Sequence, residues 1–296
     1  MQSKKNILMV VNPISGDLDK LQFFEAATLY CKNKKFELKI FYTTEKDDRK
    51  EIRRLYEENK PERVIIVGGD GTIKLVADAL QNSDVIFGIL PAGSANGLTV
   101  DLNFSKILSE NILVAFENDF IQIDMVCING HKSLHLSDLG LNAELIKNYE
   151  NSKIRGKIGY ILQSITTLSG EELPFNAVIK TAEDTFEVNS KMIVIANSKK
   201  YGTGVVINPL GLLNDGKFEI VVLKNLNLIL FSKIVMGNMP LDSDEDVMII
   251  STSSATITTD VPIHFQIDGE YYGMTKSLEI EILEKNFKVA VPTAEV

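Results

Sequence analysis

Three short stretches of small and polar residues have the composition of a phosphate site. Asn12-Pro13-Ile14-Ser15-Gly16, Gly68-Gly69-Asp70-Gly71-Thr72 and Pro91-Ala92-Gly93-Ser94-Ala95-Asn96 each follow a short apolar run. Glycines let the backbone turn sharply and let a bulky anion reach the amide groups. A helix beginning there adds unpaired N–H donors and the positive end of a dipole. The second stretch also carries a carboxylate. Among phosphates Asp70 repels unless a cation stands between, so it predicts Mg²⁺ or a water held on that ion. Thr72 occupies the place of an N-cap, ahead of the helical spacing Ile73, Val76, Ala77, Leu80. Ser94 and Asn96 add hydrogen-bonding groups. Any one of these stretches suits a plain strand-to-helix turn; several at one sheet edge argue for a ligand.

The common nucleotide motifs are incomplete. Lys74 follows Gly69-Asp70-Gly71-Thr72-Ile73 where the dinucleotide fingerprint needs its third glycine, and the run Gly211–Lys217 fails as a Walker A loop at Phe218. Two metal patterns also fail. His131 and His135 lie four apart without a glutamate, in a stretch that reads as strand. Asp242-Ser243-Asp244-Glu245-Asp246 starts like a calcium loop but continues with Val247 and has Ser253 at its twelfth position.

The elements that must hold the loops follow from periodicity. Ile7–Val11, Leu38–Tyr42, Val64–Val67 and Val85–Leu90 read as strands, and Val64-Ile65-Ile66-Val67 lacks polar alternation, as a strand buried on both faces does. Helices are expected over Asp19–Lys32, with Leu21, Phe24, Ala27, Leu29 and Tyr30 inward, and over Asp47–Asn59. Strands alternating with helices predict a parallel sheet in an α/β domain, with ligands at the carboxyl ends of the strands. Beyond Asp124 the texture becomes antiparallel. Val178–Lys180, Phe186–Ala196, Phe218–Leu223, Ala255–Thr259, His264–Ile267 and Leu278–Leu283 alternate as strands, with helical stretches over Ala143–Leu168 and Leu226–Met239. The expected division is an α/β domain over 1–126, a β-rich domain over 127–286 and a tail over 287–296. Periodicity does not decide whether that tail packs back on the first domain.

Composition sets bounds on function. At 296 residues the chain is long enough for two domains, and 45% hydrophobic with 24% charged residues is globular. A net charge of −9 argues against broad nucleic-acid binding. Two cysteines, Cys31 and Cys127, are too few for a disulfide framework, so a cytoplasmic setting is expected. Lys4 and Lys5 precede an apolar run, Ile7–Val11, too short for a signal peptide. No stretch reaches the roughly 18 apolar residues of a span. Membrane contact is therefore expected to be peripheral and transient, with Lys153, Arg155 and Lys157 as the candidate basic patch.

In this order the three loops resemble the diacylglycerol kinase catalytic domain family, which includes bacterial diacylglycerol kinases and eukaryotic sphingosine and ceramide kinases. Asn214-Asp215-Gly216-Lys217-Phe218 and Asp268-Gly269-Glu270 also match, so the likeness runs from residue 7 to about 284. Gly-Gly-Asp-Gly-Thr alone is shared with NAD kinases and phosphofructokinases; five motifs in order are far more specific. The resemblance implies a three-layer α/β nucleotide-binding domain, a β-sandwich-like second domain and an active site in the cleft between them. It implies ATP held by Asn12, Pro13, Ile14, Ser15 and Gly16, by Thr44, by Gly68, Gly69, Asp70, Gly71, Thr72, Ile73, Lys74 and Leu75, and by Gly93, Ser94 and Asn96. It implies a structural Mg²⁺ on Asp215 and the carbonyls of Leu212 and Lys217. Asp268 is implied as general base on a lipid hydroxyl, with Glu270 beside it. Asp70 and Asp124 are implied in the water network of a catalytic Mg²⁺. This sequence departs from the pattern at Gly97, often Asp in bacterial diacylglycerol kinases, at Lys74 and Leu75, where Asn-Glu is common, and over Asp138–Ala143.

The expectation is an ATP- and Mg²⁺-dependent kinase of a membrane lipid, diacylglycerol first, then a sphingoid base or ceramide, with no nucleic-acid partner and homodimerisation left open. The rivals are an NAD kinase, against which Pro91-Ala92-Gly93-Ser94 stands, and a non-catalytic nucleotide or lipid sensor. The persistence of Asp70, Asp124, Asp215 and Asp268 opposes the sensor.

Overall fold

The computed structural model describes residues 5–16, 18–81, 83–94, 96–140, 173–200, 205–225, 230, 233–234 and 245–293. The chain divides into two compact units: Met1–Ile123 with Lys285–Val296, and Asp124–Glu284.

The first unit is built on four parallel strands, β1 (Asn6–Val11), β2 (Glu37–Tyr42), β3 (Arg63–Gly68) and β4 (Ile86–Pro91), in the order β2-β1-β3-β4. Five helices accompany them: α1 (Leu21–Lys34), α2 (Asp48–Asn59), α3 (Asp70–Ala79), α4 (Gly97–Asp101) and α5 (Leu108–Glu117). Alternate strand side chains face opposite ways. Ile7, Met9, Val11, Ile65 and Val67 pack with Phe23, Ala27 and Cys31 of α1 and Ile112, Ala115 and Phe116 of α5. Helices α2 and α3 lie against β1 and β3 as well as against each other. Both faces of the sheet are covered over β1, β3 and β4, whose residues are almost all apolar and buried, whereas the edge strand β2 exposes Glu37 and Lys39. A last strand, β14 (Glu270–Ala290), ends against β4, with Val289 opposite Phe87 and the Phe87 and Phe287 rings stacked at 4.4 Å.

The inward face of α1 is rotated from the expected one. The helix starts and stops two residues later, and its buried row is Phe23, Ala27 and Cys31, while Leu21 and Leu29 are exposed. Residues four apart form one ridge. Cys31 completes it as a small apolar group, and burial pushes its thiol up to about 11.

The second unit is antiparallel. Strands β5 (Phe120–Ile128), β6 (His131–Ser133), β7 (Leu136–Gly140), β8 (Phe175–Thr181), β9 (Thr185–Ser190), β10 (Met192–Ala196), β11 (Phe218–Leu223), β12 (Val247–Thr252) and β13 (Ser254–Ile267) precede β14. Strand β13 serves two sheets. Ala255–Thr259 pairs with β8 and so with β9, whereas Phe265, Gln266 and Ile267 pair with β7, which leads through β10 and β11 to β12. A register shift between Thr258 and Ile263 lets the long strand bend. Phe175, Ile179, Ile193, Ile220, Ile257, Phe265 and Leu278, drawn from both sheets, share one core, which makes the unit sandwich-like.

The expected single segment Phe186–Ala196 is two strands. β9 pairs with β8 and β10 with β7 and β11, so the chain changes sheet at Lys191. The expected helix Ala143–Leu168, with Lys153, Arg155 and Lys157, lies outside the described residues. So does Leu226–Met239 apart from residues 230, 233 and 234, of which Leu230 and Ile234 pack with Val194 and Val221. No helix among the described residues is long and apolar enough to cross a membrane.

Candidate active site

The three strand-end loops of the first unit are tied to one another. Asn12 N–H donates to Val67 O (3.0 Å) and Ala92 N–H to Gly68 O (2.9 Å), so each loop starts in register with its neighbour. The Asn12 side chain donates to Thr72 Oγ1 (3.2 Å) and accepts Ile14 N–H (3.1 Å). Ser15 Oγ lies 3.1 Å from Asn12 O and 3.3 Å from Ala92 O. Gly16 has φ +58°, and a Cβ there would sit 2.8 Å from Gly93 C and 2.9 Å from Ala92 O. Only glycine lets the first loop lie so close to the third. Asn96 closes the third loop on itself, its Oδ1 accepting Gly93 N–H and its Nδ2 donating to Gly93 O, both at 3.0 Å. Ile14 and Ser94 are exposed at this edge.

Thr72 is not the N-cap of α3. The helix begins at Asp70 behind an extended Gly69, whose carbonyl accepts Thr72 N–H (2.9 Å) and Ile73 N–H (3.1 Å). Thr72 is buried in the first turn, its hydroxyl turned to Asn12. Asp70 thus stands in the first helical turn, where the dipole favours negative charge. Its carboxylate also holds the third loop: Oδ2 accepts Gly97 N–H (2.7 Å) and Oδ1 accepts Leu98 N–H (3.1 Å) at the start of α4. Ile73 and Lys74 are buried in α3 and Leu75 is half-buried, whereas Gly71 is exposed, with nothing within 4 Å of a Cβ placed on it.

Periodicity did not flag Asp48. This buried carboxylate accepts Thr44 N–H at both oxygens (2.9 and 3.1 Å), Thr44 Oγ1–H (3.1 Å) and Glu45 N–H (2.9 Å). The signal was an acidic residue four after Thr44 at a helix start.

In the second unit Asp268 and Gly269 form a two-residue hairpin turn with φ +50° and +86°. Positive φ at both positions is the hairpin geometry that matches strand twist, and a non-glycine residue holds it only when its surroundings fix it. They do. Asp268 Oδ1 accepts Ser133 Oγ–H (2.9 Å) and His135 N–H (3.0 Å), Oδ2 accepts Leu134 N–H (3.0 Å), and Asp268 N–H donates to Leu136 O (3.0 Å). Ser137 Oγ in turn donates to Ser133 Oγ (3.0 Å). Gln266 Oε1 accepts Gly269 N–H (2.7 Å), while Gln266 Nε2 donates to the fully buried Asp138. Three of the carboxylate's four acceptor positions are filled, and Oδ2 keeps one. Glu270 is exposed next to the turn.

Asp124 belongs to the Asp215 loop. Its N–H donates to Leu213 O (2.7 Å), its Oδ2 accepts Gly216 N–H (2.8 Å), and its carbonyl accepts Asn197 Nδ2–H (2.8 Å). Asp215 Oδ1 accepts Lys217 N–H (3.1 Å), and Leu212, Asp215 and Lys217 are exposed. A carboxylate and two main-chain carbonyls are hard oxygen donors of the kind Mg²⁺ takes, so the residues present fit the ion. Among the described residues no three His, Cys, Asp or Glu side chains gather as a metal group. His131 is exposed with its ring edge-on to Tyr272 at 5.0 Å, and His135 is buried.

Beneath this loop Glu219 is buried, accepting Asn208 Nδ2–H (2.7 Å) and Ser251 Oγ–H (2.9 Å). Burial raises its carboxyl above the usual range, and Asp215 adds to the rise. A raised native value means that the folded chain holds this proton more tightly than the unfolded one. Stability from this group is present at low pH and falls as pH rises through the raised value. Glu219→Gln is therefore expected to melt above wild type at pH 8, with the gap narrowing towards pH 5, in a calorimetric pH series.

The profile of the diacylglycerol kinase catalytic domain matches residues 6–128, and that of the YegS C-terminal NAD kinase beta sandwich-like domain matches residues 138–291. A "Probable lipid kinase YegS" of Salmonella arizonae is 27% identical over 300 residues, covering 96% of this chain and 95% of that protein. A "Probable lipid kinase YegS-like" of Shewanella frigidimarina is 26% identical over 239 residues, covering 78% and 76%. A crystal structure described as a diacylglycerol kinase of Bacillus anthracis superimposes over 100% of both chains with a TM-score of 0.77 and 19% identity, a likeness of fold.

Proposed function

This chain belongs to the lipid kinase family that joins the diacylglycerol kinase catalytic domain to the YegS C-terminal domain, and from that membership we propose that it transfers the γ-phosphate of ATP to a hydroxyl of a membrane lipid, with diacylglycerol as the first acceptor to test. The observation that carries the reading is the packing of Gly16 against Ala92 and Gly93, with Asn12 bound to Thr72. It gathers three glycine-bearing strand ends of one parallel sheet, where such sheets bind ligands.

Phosphoryl transfer is mostly positioning and charge neutralisation. The lipid oxygen attacks the γ-phosphorus, the bond from that phosphorus to the β–γ bridging oxygen breaks, and ADP leaves. The hydroxyl proton passes to Asp268, whose Oδ2 keeps an acceptor position. On this reading Asn12–Gly16, Thr44, Gly68–Leu75, Gly93, Ser94 and Asn96 hold the nucleotide; Asp70 within that run also anchors the third loop, and Asp48 anchors Thr44. A catalytic Mg²⁺ held through a water on Asp70 would neutralise charge on the phosphates, and a structural Mg²⁺ would be held by Asp215, Leu212 O and Lys217 O, in the loop that Asp124 anchors.

Labelled ATP with separate micelles of diacylglycerol, ceramide and sphingosine, and with NAD in solution, tests the reading. Label in a lipid is expected. Label in NAD alone replaces the reading with that of an NAD kinase, a rival kept because the C-terminal profile is named for its NAD kinase-like sandwich. Nucleotide binding without turnover on any acceptor points to a sensor.

The ion is tested separately. The melting temperature of the wild type is expected to rise with Mg²⁺ concentration, and Asp215→Ala is expected to flatten that rise and lower activity. A wild-type melting temperature that does not move with Mg²⁺ removes the structural ion.

A further inference from the structure

We infer that Gln266 is a positioning residue for Asp268: its amide, oriented by Asp138, holds the backbone of the turn that presents the carboxylate. The inference rests on the reading of Asp268 as the base and deepens it. The carboxylate itself is gripped by Ser133, Leu134 and His135. The turn backbone needs support of its own, because Asp268 and Gly269 both have positive φ, +50° and +86°. Asp268 N–H finds Leu136 O at 3.0 Å. In a two-residue turn the next N–H, that of Gly269, has no place in the strand ladder. Gln266 Oε1 accepts it at 2.7 Å.

The direction of that amide is forced from both ends. A main-chain N–H only donates, so the atom facing Gly269 must be the oxygen. The nitrogen then faces Asp138 Oδ2, which accepts its hydrogen. Gln266 and Asp138 stand directly opposite each other on β13 and β7, and a register shift against β14 separates Gln266 from Phe265. Both side chains are buried, Asp138 completely. Their chain neighbours Phe265, Ile267 and Leu139 belong to the apolar core. Burying a polar pair costs desolvation, and apolar residues of similar size often serve stability better. A polar pair at this register is therefore explained by what it holds, the Gly269 N–H in the turn of the base.

A residue that acts through Asp268 loses its effect on rate once Asp268 is no longer a base. A merely structural residue costs the same factor in either background. A double-mutant cycle on the full chain separates the two. Wild type, Gln266→Met, Asp268→Asn and the double variant are compared by initial rates with labelled ATP on mixed micelles of diacylglycerol, ceramide and sphingosine. Calorimetric titration with ATP accompanies each. Gln266→Met keeps the length and loses both hydrogen-bonding groups. It is expected to lower turnover by about tenfold or more, towards the roughly 10²-fold cost of a reacting group misplaced by about 1 Å, with ATP affinity unchanged. In the Asp268→Asn background it is expected to change turnover by no more than about twofold. Should Gln266→Met not fold, Gln266→Asn, whose amide sits one methylene short of both partners, takes its place. Equal losses in both backgrounds, or no loss in either, overturn the inference while leaving the kinase reading intact. Near-normal turnover in Asp268→Asn alone removes the base, and this inference with it. A wild-type chain that labels no lipid overturns the proposed activity instead, and the inference falls too.

Discussion

Replacing Asp268 by asparagine is expected to lower turnover on the best lipid acceptor by roughly 10²–10⁴-fold, the scale of general base catalysis, while ATP still binds. A lipid hydroxyl is a poor nucleophile at neutral pH and gains from a carboxylate that takes its proton. The geometry around Asp268 sharpens the expectation. The carboxylate already accepts Ser133 Oγ–H, Leu134 N–H and His135 N–H. An asparagine oxygen at the Oδ1 position keeps the first and third of these but turns its amide N–H₂ toward the Leu134 N–H. Two facing donors cost stability, about 1–3 kcal/mol if the N–H is left without a partner. Melting temperature must therefore be read beside initial rates, with Ser133→Ala as the control for a loosened turn. Ser133→Ala removes one bond to Asp268 and leaves the charge, so a modest loss of rate is expected there. If ATP affinity collapses in Asp268→Asn while turnover at saturation survives, Asp268 is a nucleotide ligand. Glu270 is then the next base to test.

The second large effect is at Asp70. Asp70→Ala is expected to cost about 10²–10³-fold or more in turnover, the scale for losing one preorganised electrostatic group at a transferring phosphoryl. It should also cost stability, because the carboxylate is tied to Gly97 N–H and Leu98 N–H at the start of α4. Loss of a cap of this kind costs about 1 kcal/mol, or roughly 2–4 °C in a protein of this size class. Asp70→Asn separates the two roles, since its amide oxygen can still accept one of the two N–H groups without carrying charge. Low turnover in both variants, with the melting temperature lowered chiefly in Asp70→Ala, assigns the activity loss to the charge. Near-normal turnover in Asp70→Asn sinks the cation role and leaves Asp70 as a loop anchor.

Much of the fold was legible because it depends on short-range pattern. Val64–Val67 has to be a doubly covered strand, since four branched apolar residues in a row leave no wet face. The alternation of strands with helices then fixes parallel pairing, and parallel pairing brings Asn12, Gly68 and Pro91 to one edge. The phosphate-binding character proposed for those loops is likewise a local reading, because it follows from glycine at particular steps after a strand.

What the sequence could not determine is which group each polar side chain meets. Thr72 has the type and place of an N-cap, yet its hydroxyl accepts from Asn12, sixty residues away, and the helix starts at Asp70 instead. The inward face of α1 turned on a one-residue rotation, because Phe23, Ala27 and Cys31 fit the surface of β1 and β3 while Leu21 and Leu29 do not meet it. The strand break at Lys191 came from β9 and β10 having partners in different sheets, which no alternation pattern encodes. Asp70, Asp124 and Asp268 read from the sequence as chemistry. Tertiary structure alone gave each a second role, anchoring Gly97 and Leu98, Gly216, and the Ser133–His135 turn respectively. The physical reason is common to all three. A carboxylate that leaves bulk water must find donors, and the donors nearest in space belong to segments distant along the chain.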